Sequence, residues 1–251
     1  MSRRSAGALR AIALVPTYAR QLVDLRRKPC VVAHYAGKSR CALPGAARCR
    51  ARRAVAPLVI VTILRGVLDS LWSAATRHPF LEAVREGTIT DSAFDRWLVQ
   101  DALFVDDLLT FQARLLARAP RTAQTVLAGG CVALVAELDW FEDQAARRGM
   151  NLEQPALPAT LAYRELLGRL DATPYEAAVT ALWVLERVYL LAWGFAASAI
   201  SPFGEFVEHW SAPAFADYVD ALAVLAIPDR HDKLVADVLE HEVAFWNMAL
   251  A

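Results

Sequence analysis

The sequence predicts an all-α protein, and three observations predict it. From residue 60 onward the apolar residues recur with a helical period nearly everywhere, no alternating strand appears, and Pro or Gly stands between the periodic segments. With 251 residues, 56% of them hydrophobic and 22% charged, the chain can bury a large core.

The elements follow in order. Leu64 to Thr76 reads as a helix that ends near His78-Pro79, because the residue before a proline avoids the helical region. Thr88-Ile89-Thr90-Asp91 reads as a loop feeding an N-cap at Asp91, with a long helix from Ser92 to Ala117 stopped by Pro120. A third helix spans Thr122 to Arg148, with Gly149 as its C-cap and an internal Gly129-Gly130 that signals close packing or a kink. Ala159 to Leu170 follows Pro158, and a very apolar helix runs from Tyr175 to Ser198. Between Ala177 and Ile200 only Glu186 and Arg187 are charged, which marks a central buried helix. After the Ser201-Pro202-Phe203-Gly204 break come Glu205 to Trp210, Ala214 to Ala226 and Asp229 to Ala251.

The formal charge is zero, 27 basic against 27 acidic residues, which argues against a binder steered by global positive potential. That zero divides unevenly. Residues 1–53 hold 13 basic side chains and one acid, Asp24, for +12, whereas residues 54–251 hold 14 basic and 26 acidic ones, for −12. All seven Trp and all ten Phe lie after residue 70. Residues 1–55 therefore read as a basic extension, expected to be disordered because it cannot bury enough apolar area to offset its ordering entropy. A nucleic-acid arm, an Arg-rich transit peptide and a start codon placed too far upstream all stay open for it. Residues 56–251 form the helical domain.

Cys30, Cys41 and Cys49 fit neither a metal site nor a disulfide framework, and Cys131 reads as a small core residue. The apolar run Ala54 to Leu64, taken as the only long one, is closed by Arg65, short of the roughly twenty residues a bilayer requires. A cytoplasmic protein without membrane or nucleic-acid partners is the expectation.

The informative feature is where some carboxylates sit. Asp101 has Trp97, Leu98, Phe104, Val105 and Leu108 at helical spacings around it, so it projects from the stripe that faces the core. Glu186 is flanked in the same way by Leu182, Trp183, Tyr189, Leu190 and Trp193. Glu242 sits among Val238, Leu239, Phe245 and Trp246, and Glu137 among Ala133, Leu134, Trp140 and Phe141. Burying a lone ionised carboxylate costs several kcal/mol or forces it neutral. Pairing with Arg187, Arg164 or a tyrosine is the bland explanation. The functional one is a pocket that holds a cationic or amidine-like molecule between aromatic walls.

Other signals are weaker. His78, His209, His231 and His241 form no H-E-x-x-H pattern, although Glu205 with His209 and Asp237 with His241 have the spacing of an ion-ligating pair. Tyr163 suits either a core or a ligand contact. No Gly-rich phosphate loop, nucleophile elbow or zinc spacing is present, so nucleotide hydrolysis and serine-type acyl transfer are not expected.

Read together, several segments resemble a known family. His78-Pro79-Phe80-Leu81, then Gly87-Thr88-Ile89, Phe94-x-x-Trp97-Leu98-x-Gln100-Asp101-x-x-Phe104, Trp183-Val184-Leu185-Glu186-Arg187-Val188-Tyr189, Phe206-Val207-Glu208-His209-Trp210-Ser211 and Glu242 to Ala249 look like the TenA family of thiaminase II and aminopyrimidine aminohydrolases. The likeness spans residues 68–250 in consistent order.

The resemblance implies a haem-oxygenase-like helical bundle, no haem, metal or other cofactor, and a homo-oligomer, a dimer or tetramer. It implies a hydrolase of thiamin salvage acting on a small pyrimidine. Asp101 matches the carboxylate that holds the aminopyrimidine, and Glu242 the acid that manages the ring and leaving-group protons. Tyr163 and Trp210 fall near the family's pocket aromatics, and Phe104, Glu137 and Tyr189 join them as substrate-binding candidates. The best-known members carry a cysteine nucleophile on the central helix. Here Glu186 stands nearby instead, as in the glutamate-type branch associated with amino- and formylamino-pyrimidines. The alternatives carried forward are a haem-oxygenase-like iron oxidase using the acids with His209 or His241, and a non-catalytic binding or regulatory protein.

Overall fold

The computed structural model describes residues 55–198 and 201–251, with side chains from residue 66 onward. The extension read into residues 1–55, with Cys30, Cys41 and Cys49, lies outside the described residues apart from Val55. Helices α1 (Val55–Thr76), α2 (Pro79–Glu86), α3 (Asp91–Ala117), α4 (Arg121–Arg148), α5 (Pro158–Asp171), α6 (Tyr175–Ala196), α7 (Gly204–Trp210), α8 (Pro213–Ala223) and α9 (Asp232–Leu250) follow one another, with a 3-10 turn at Pro228–Arg230. No strand occurs among the described residues. The all-α expectation holds.

Local chemistry sets the boundaries. Pro79 stops α1 as expected, but it also opens α2, because a proline in the first turn lacks only an N–H that has no helical partner. His78 caps this helix: its Nδ1 accepts from the Phe80 backbone N–H at 3.2 Å, and its Nε2 lies 3.1 Å from Asn247 Oδ1. Gly87, at φ 68°, ends it in the left-handed region. The cap of α3 is Thr90 rather than Asp91; the Thr90 hydroxyl accepts from the Ala93 N–H at 3.2 Å, and Asp91 becomes the first-turn acid that favours the helix dipole. At the other end, Pro228 and Asp229 belong to the 3-10 turn, so the last helix starts at Asp232.

Helix α6 is the hub, packed against α2, α3, α5, α7, α8 and α9. α3 lies against α4 and α5, and α9 bridges α3, α5 and α6. Where these helices meet, Trp97, Trp193 and Trp246 are wholly buried. Trp97 has its ring 5.1 Å from Trp193, 5.2 Å from Trp210 and 5.9 Å from Trp246. This aromatic block is a stiff wall, since each ring fixes its neighbour.

The Gly129-Gly130 pair marks close packing, not a kink. α4 is one continuous helix, and a Cβ on Gly130 would collide with the Gln112 side-chain amide and the Tyr218 phenol, whereas Gly129 faces open space. The Gln112 amide donates to the Leu127 carbonyl at 2.9 Å and accepts from Tyr218 Oη at 3.1 Å. Gly130→Ala is expected to destabilise the fold by roughly 1–3 kcal/mol, read from denaturant midpoints, while Gly129→Ala stabilises it slightly.

One side of α4 departs from the core pattern. Val132 is 66% exposed and Val135 50%, and by length and composition both α4 and α6 reach the threshold for a membrane span. The run before Arg65 is therefore not the only long apolar one. For α6 burial in the core accounts for the composition; α4 is less buried, with Val132, Ala133, Val135 and Ala136 exposed on one side and Leu127, Leu134 and Phe141 buried on the other.

Candidate active site

The four acids singled out above come from four helices. α3 supplies Asp101, α4 Glu137, α6 Glu186 and α9 Glu242. Asp101, Glu186 and Glu242 are buried; Glu137 is half-buried. Asp101 is coupled electrostatically to Glu137 and Glu242, and so is Glu186, so the helical phase read from the apolar stripes brings them into one neighbourhood. Among the described residues no three His, Cys, Asp or Glu side chains converge at ion-ligating distance. The acids line a shared interior without chelating a point.

Their partners differ. Tyr189 on α6 donates its O–H to Asp101 Oδ2 at 2.7 Å, and Tyr163 on α5 donates to Glu242 Oε1 at 2.6 Å. Glu137 receives the Trp210 indole N–H at 2.6 Å on Oε1, while its Oε2 lies 2.7 Å from His209 Nε2. Glu186, 6% exposed, hydrogen-bonds no described residue. Of the bland pairings, the tyrosine one is realised twice; Arg164 instead pairs with Asp107 at 2.8 Å, out on the surface.

A body with few basic residues tolerates this cluster because burial moves the proton affinities. Glu186 is pushed up to about 8, first by burial and then by the charges of Glu137 and Glu242. Glu242 is pushed up to about 7 by burial, opposed by the Tyr163 hydrogen bond. Burial also holds Asp101 well above the usual carboxylate range, against the pull of the Tyr189 bond. The interior therefore keeps protons at neutral pH rather than unscreened charges, and Tyr163 and Tyr189, both raised by burial and by these acids, remain O–H donors. Two carboxyls near neutrality suit proton transfer in either direction.

The aromatic residues singled out pack against the acids' hydrogen-bond partners. Phe104 packs 4.6 Å from Tyr163 and 5.7 Å from Phe245, and Tyr189 lies 5.8 Å from Trp210 and stacks on Trp246 at 6.2 Å. Trp210 is thus both wall and hydrogen-bond donor. Two surface hollows, of about 410 and 360 Å³, lie elsewhere; Thr76, Arg77, Leu190, Leu191, Gly194 and Phe195 line the first, and residues from Arg230 to Asp237 the second. Neither is the open, aromatic-walled pocket expected over the acids. Phenols and the indole instead hydrogen-bond to Asp101, Glu242 and Glu137.

The spacings read as possible ion ligands are otherwise engaged. Glu205 pairs with Arg147 at 2.8 Å, which holds its carboxyl below the usual range, while His209 turns to Glu137. His241 Nδ1 donates to the Asp237 carbonyl of its own helix at 2.7 Å and lies 3.5 Å from the Asp237 carboxylate, which Arg169 also holds at 3.3 Å. The Cys131 thiol, pushed up by burial, is a poor source of thiolate. What the sequence did not single out is the pairing of Glu137 with His209, and the Trp140 ring stacked on that imidazole at 4.0 Å and 3°. The available signals were Trp140 one turn after Glu137 and His209 next to Trp210.

A helical bundle that closes aromatic walls around proton-bearing carboxyls is the class that the fold and the site define. Residues 67–251 match the TENA/THI-4/PQQC family, and the chain belongs to it. It is 33% identical over 202 residues to a Glycine max protein named "Probable bifunctional TENA-E protein", covering 71% of this chain and 88% of that one. A Schizosaccharomyces pombe protein of uncharacterised role is 25% identical over 198 residues, 63% of this chain and 81% of that one. The solved structure of a TenA homologue from Pyrococcus furiosus superposes with a TM-score of 0.69 at 28% identity, covering 75% of this chain and 98% of that one. A TenA homologue from P. horikoshii shares the fold, with a TM-score of 0.67 at 17% identity over 76% and 97% of the two chains.

Proposed function

We propose that this protein is a thiaminase II-like hydrolase of thiamin salvage that removes the amino or formylamino group from 4-amino-5-aminomethyl-2-methylpyrimidine or its formyl derivative, giving the hydroxymethylpyrimidine. The observation that carries this reading is Glu186, a buried carboxyl that hydrogen-bonds no described residue and stands within reach of the charges of Glu137 and Glu242. Such a group is costly to keep unless something other than the protein completes it. Kinship with a TENA-E protein supports the substrate class.

In the proposed reaction Asp101 shares a proton with a ring nitrogen and accepts from the 4-amino group. Tyr189 holds its carboxyl in place. Glu186 donates its proton to the aminomethyl nitrogen, and the C–N bond breaks with both electrons leaving on ammonia, pushed by the electron-rich aminopyrimidine. Water adds to the exocyclic carbon as Glu242 takes one of its protons, aimed by Tyr163. Atoms balance as amine plus water to alcohol plus ammonia. After one turnover Glu186 is one proton short and Glu242 one proton richer. Phe104, Tyr163, Tyr189 and Trp210 supply the walls.

The deciding experiment is a turnover screen of the full chain with thiamin, aminomethylpyrimidine and its formyl derivative. Ammonia release from the aminomethyl compound is expected, with thiamin a poor substrate; a chain that cleaves thiamin alone overturns the reading. We also propose a homo-oligomer that uses the exposed apolar face of α4. Arg121 at one end of that face and Asp139 and Asp143 at the other would meet in an antiparallel pairing of two copies. Val132→Glu with Val135→Glu is expected to reduce the sedimenting mass to that of a smaller species.

A further inference from the structure

His209 and Glu137 fall outside the chemistry just described, yet their arrangement is specific. Glu137 is the least buried of the four acids, its side chain 18% exposed, and the His209 side chain is 31% exposed. The Trp210 indole can only donate, so Glu137 Oε1 has to accept from it. Oε2 and His209 Nε2, 2.7 Å apart, are then free to share one proton in either direction. The other ring nitrogen, Nδ1, hydrogen-bonds no described residue, and the stack on Trp140 fixes the plane of the ring. One edge of a half-exposed imidazole thus carries an unpaired nitrogen, while the Nε2 edge meets an acid coupled to the buried cluster.

We propose that His209 and Glu137 form the proton port of this site, carrying protons between solvent and the buried acids Asp101, Glu186 and Glu242. The idea rests on the hydrolase reading for its purpose, which is to restore the protons displaced in each turnover. In the inward step Nδ1 takes a proton from a hydronium ion or a protonated buffer molecule, which leaves as water or free base, the Nε2–H bond breaks as an O–H bond forms on Glu137 Oε2, and a neutral imidazole protonated at Nδ1 remains. The outward step is the reverse, with no redox change. His209 touches no substrate in this scheme; it is a relay. The charged groups that face the port are Glu205, itself held by Arg147 and Gln144 beside the imidazole, and Asp101, Glu186 and the Tyr189 hydroxyl on the inner side of Glu137.

The test uses the full chain and does not depend on turnover. After a rapid pH jump, the rate at which buried carboxyls gain or lose protons is read from the infrared carbonyl band of protonated acids. In His209→Ala that rate is expected to fall at least roughly tenfold and to recover when imidazole is added to the buffer. His209→Gln, whose amide can still donate to Glu137 but cannot carry a proton, is expected to fold like the wild type and to be as slow as His209→Ala. With aminomethylpyrimidine, kcat is expected to fall in parallel at unchanged KM and to recover with imidazole. An unchanged infrared rate in both variants, or a slow rate that imidazole leaves slow, overturns the port. If the wild type releases no ammonia, the hydrolase reading fails alone, because the infrared rates still decide the port.

Discussion

Glu186→Gln is expected to abolish ammonia release from aminomethylpyrimidine while making the protein more stable above pH 8. Loss of a general acid costs roughly 10²–10⁴-fold in rate, and the amide cannot supply the proton to the leaving nitrogen. The stability change follows from linkage. The folded protein holds the Glu186 proton up to about pH 8, whereas the unfolded chain releases it near 4.5. Between those values the folded state binds more protons than the unfolded one, so stability falls as pH rises, and the penalty is complete once both states are ionised. Gln carries no such penalty. Its advantage is absent near pH 4.5, grows across the window and reaches on the order of a few kcal/mol above pH 8, or several degrees in Tm. Thermal melts of both proteins at pH 5 and pH 8.5, beside an ammonia assay, check both parts. An inactive variant with no gain at the higher pH would show that the carboxyl is not held at a cost, and an active one would remove it from the chemistry.

The second large effect concerns Glu242 and its phenol. Turnover in the proposed scheme needs Glu186 protonated and Glu242 ionised, so kcat/KM is expected to form a bell that rises near pH 7 and falls near pH 8, following the two values. Glu242→Gln removes the base and is expected to cost roughly 10²–10⁴-fold. Tyr163→Phe is more discriminating. The Tyr163 hydrogen bond favours the ionised carboxyl, so its loss raises the proton affinity of Glu242 and moves the acid limb upward. The bell narrows and its peak drops, while the alkaline limb set by Glu186 stays in place. A limb that moves downward, or a profile that keeps its shape in Tyr163→Phe, contradicts the assignment of that limb to Glu242.

Much of this was legible before any coordinates. The apolar period, with prolines and glycines between segments, is a local property, and it located α3 to α9 to within a few residues. It missed α2, because His78-Pro79 reads equally as a stop and as a start, and only the imidazole accepting from Phe80 distinguishes the two. It put the cap of α3 one residue late, since Thr90 and Asp91 are both good caps and the choice depends on which side chain reaches the Ala93 N–H.

The candidate site divides along the same line. That Asp101, Glu137, Glu186 and Glu242 point inward is written in their i±3 and i±4 neighbours, and the sequence by itself determined it. What each acid does was decided by residues far along the chain: Tyr163 lies 79 positions from Glu242, Tyr189 88 from Asp101 and His209 72 from Glu137. Proton affinity is a sum over burial, hydrogen bonds and charges brought together from several helices. Only the packed bundle can leave Glu186 unpartnered, Glu242 poised near neutrality and Glu137 at the door.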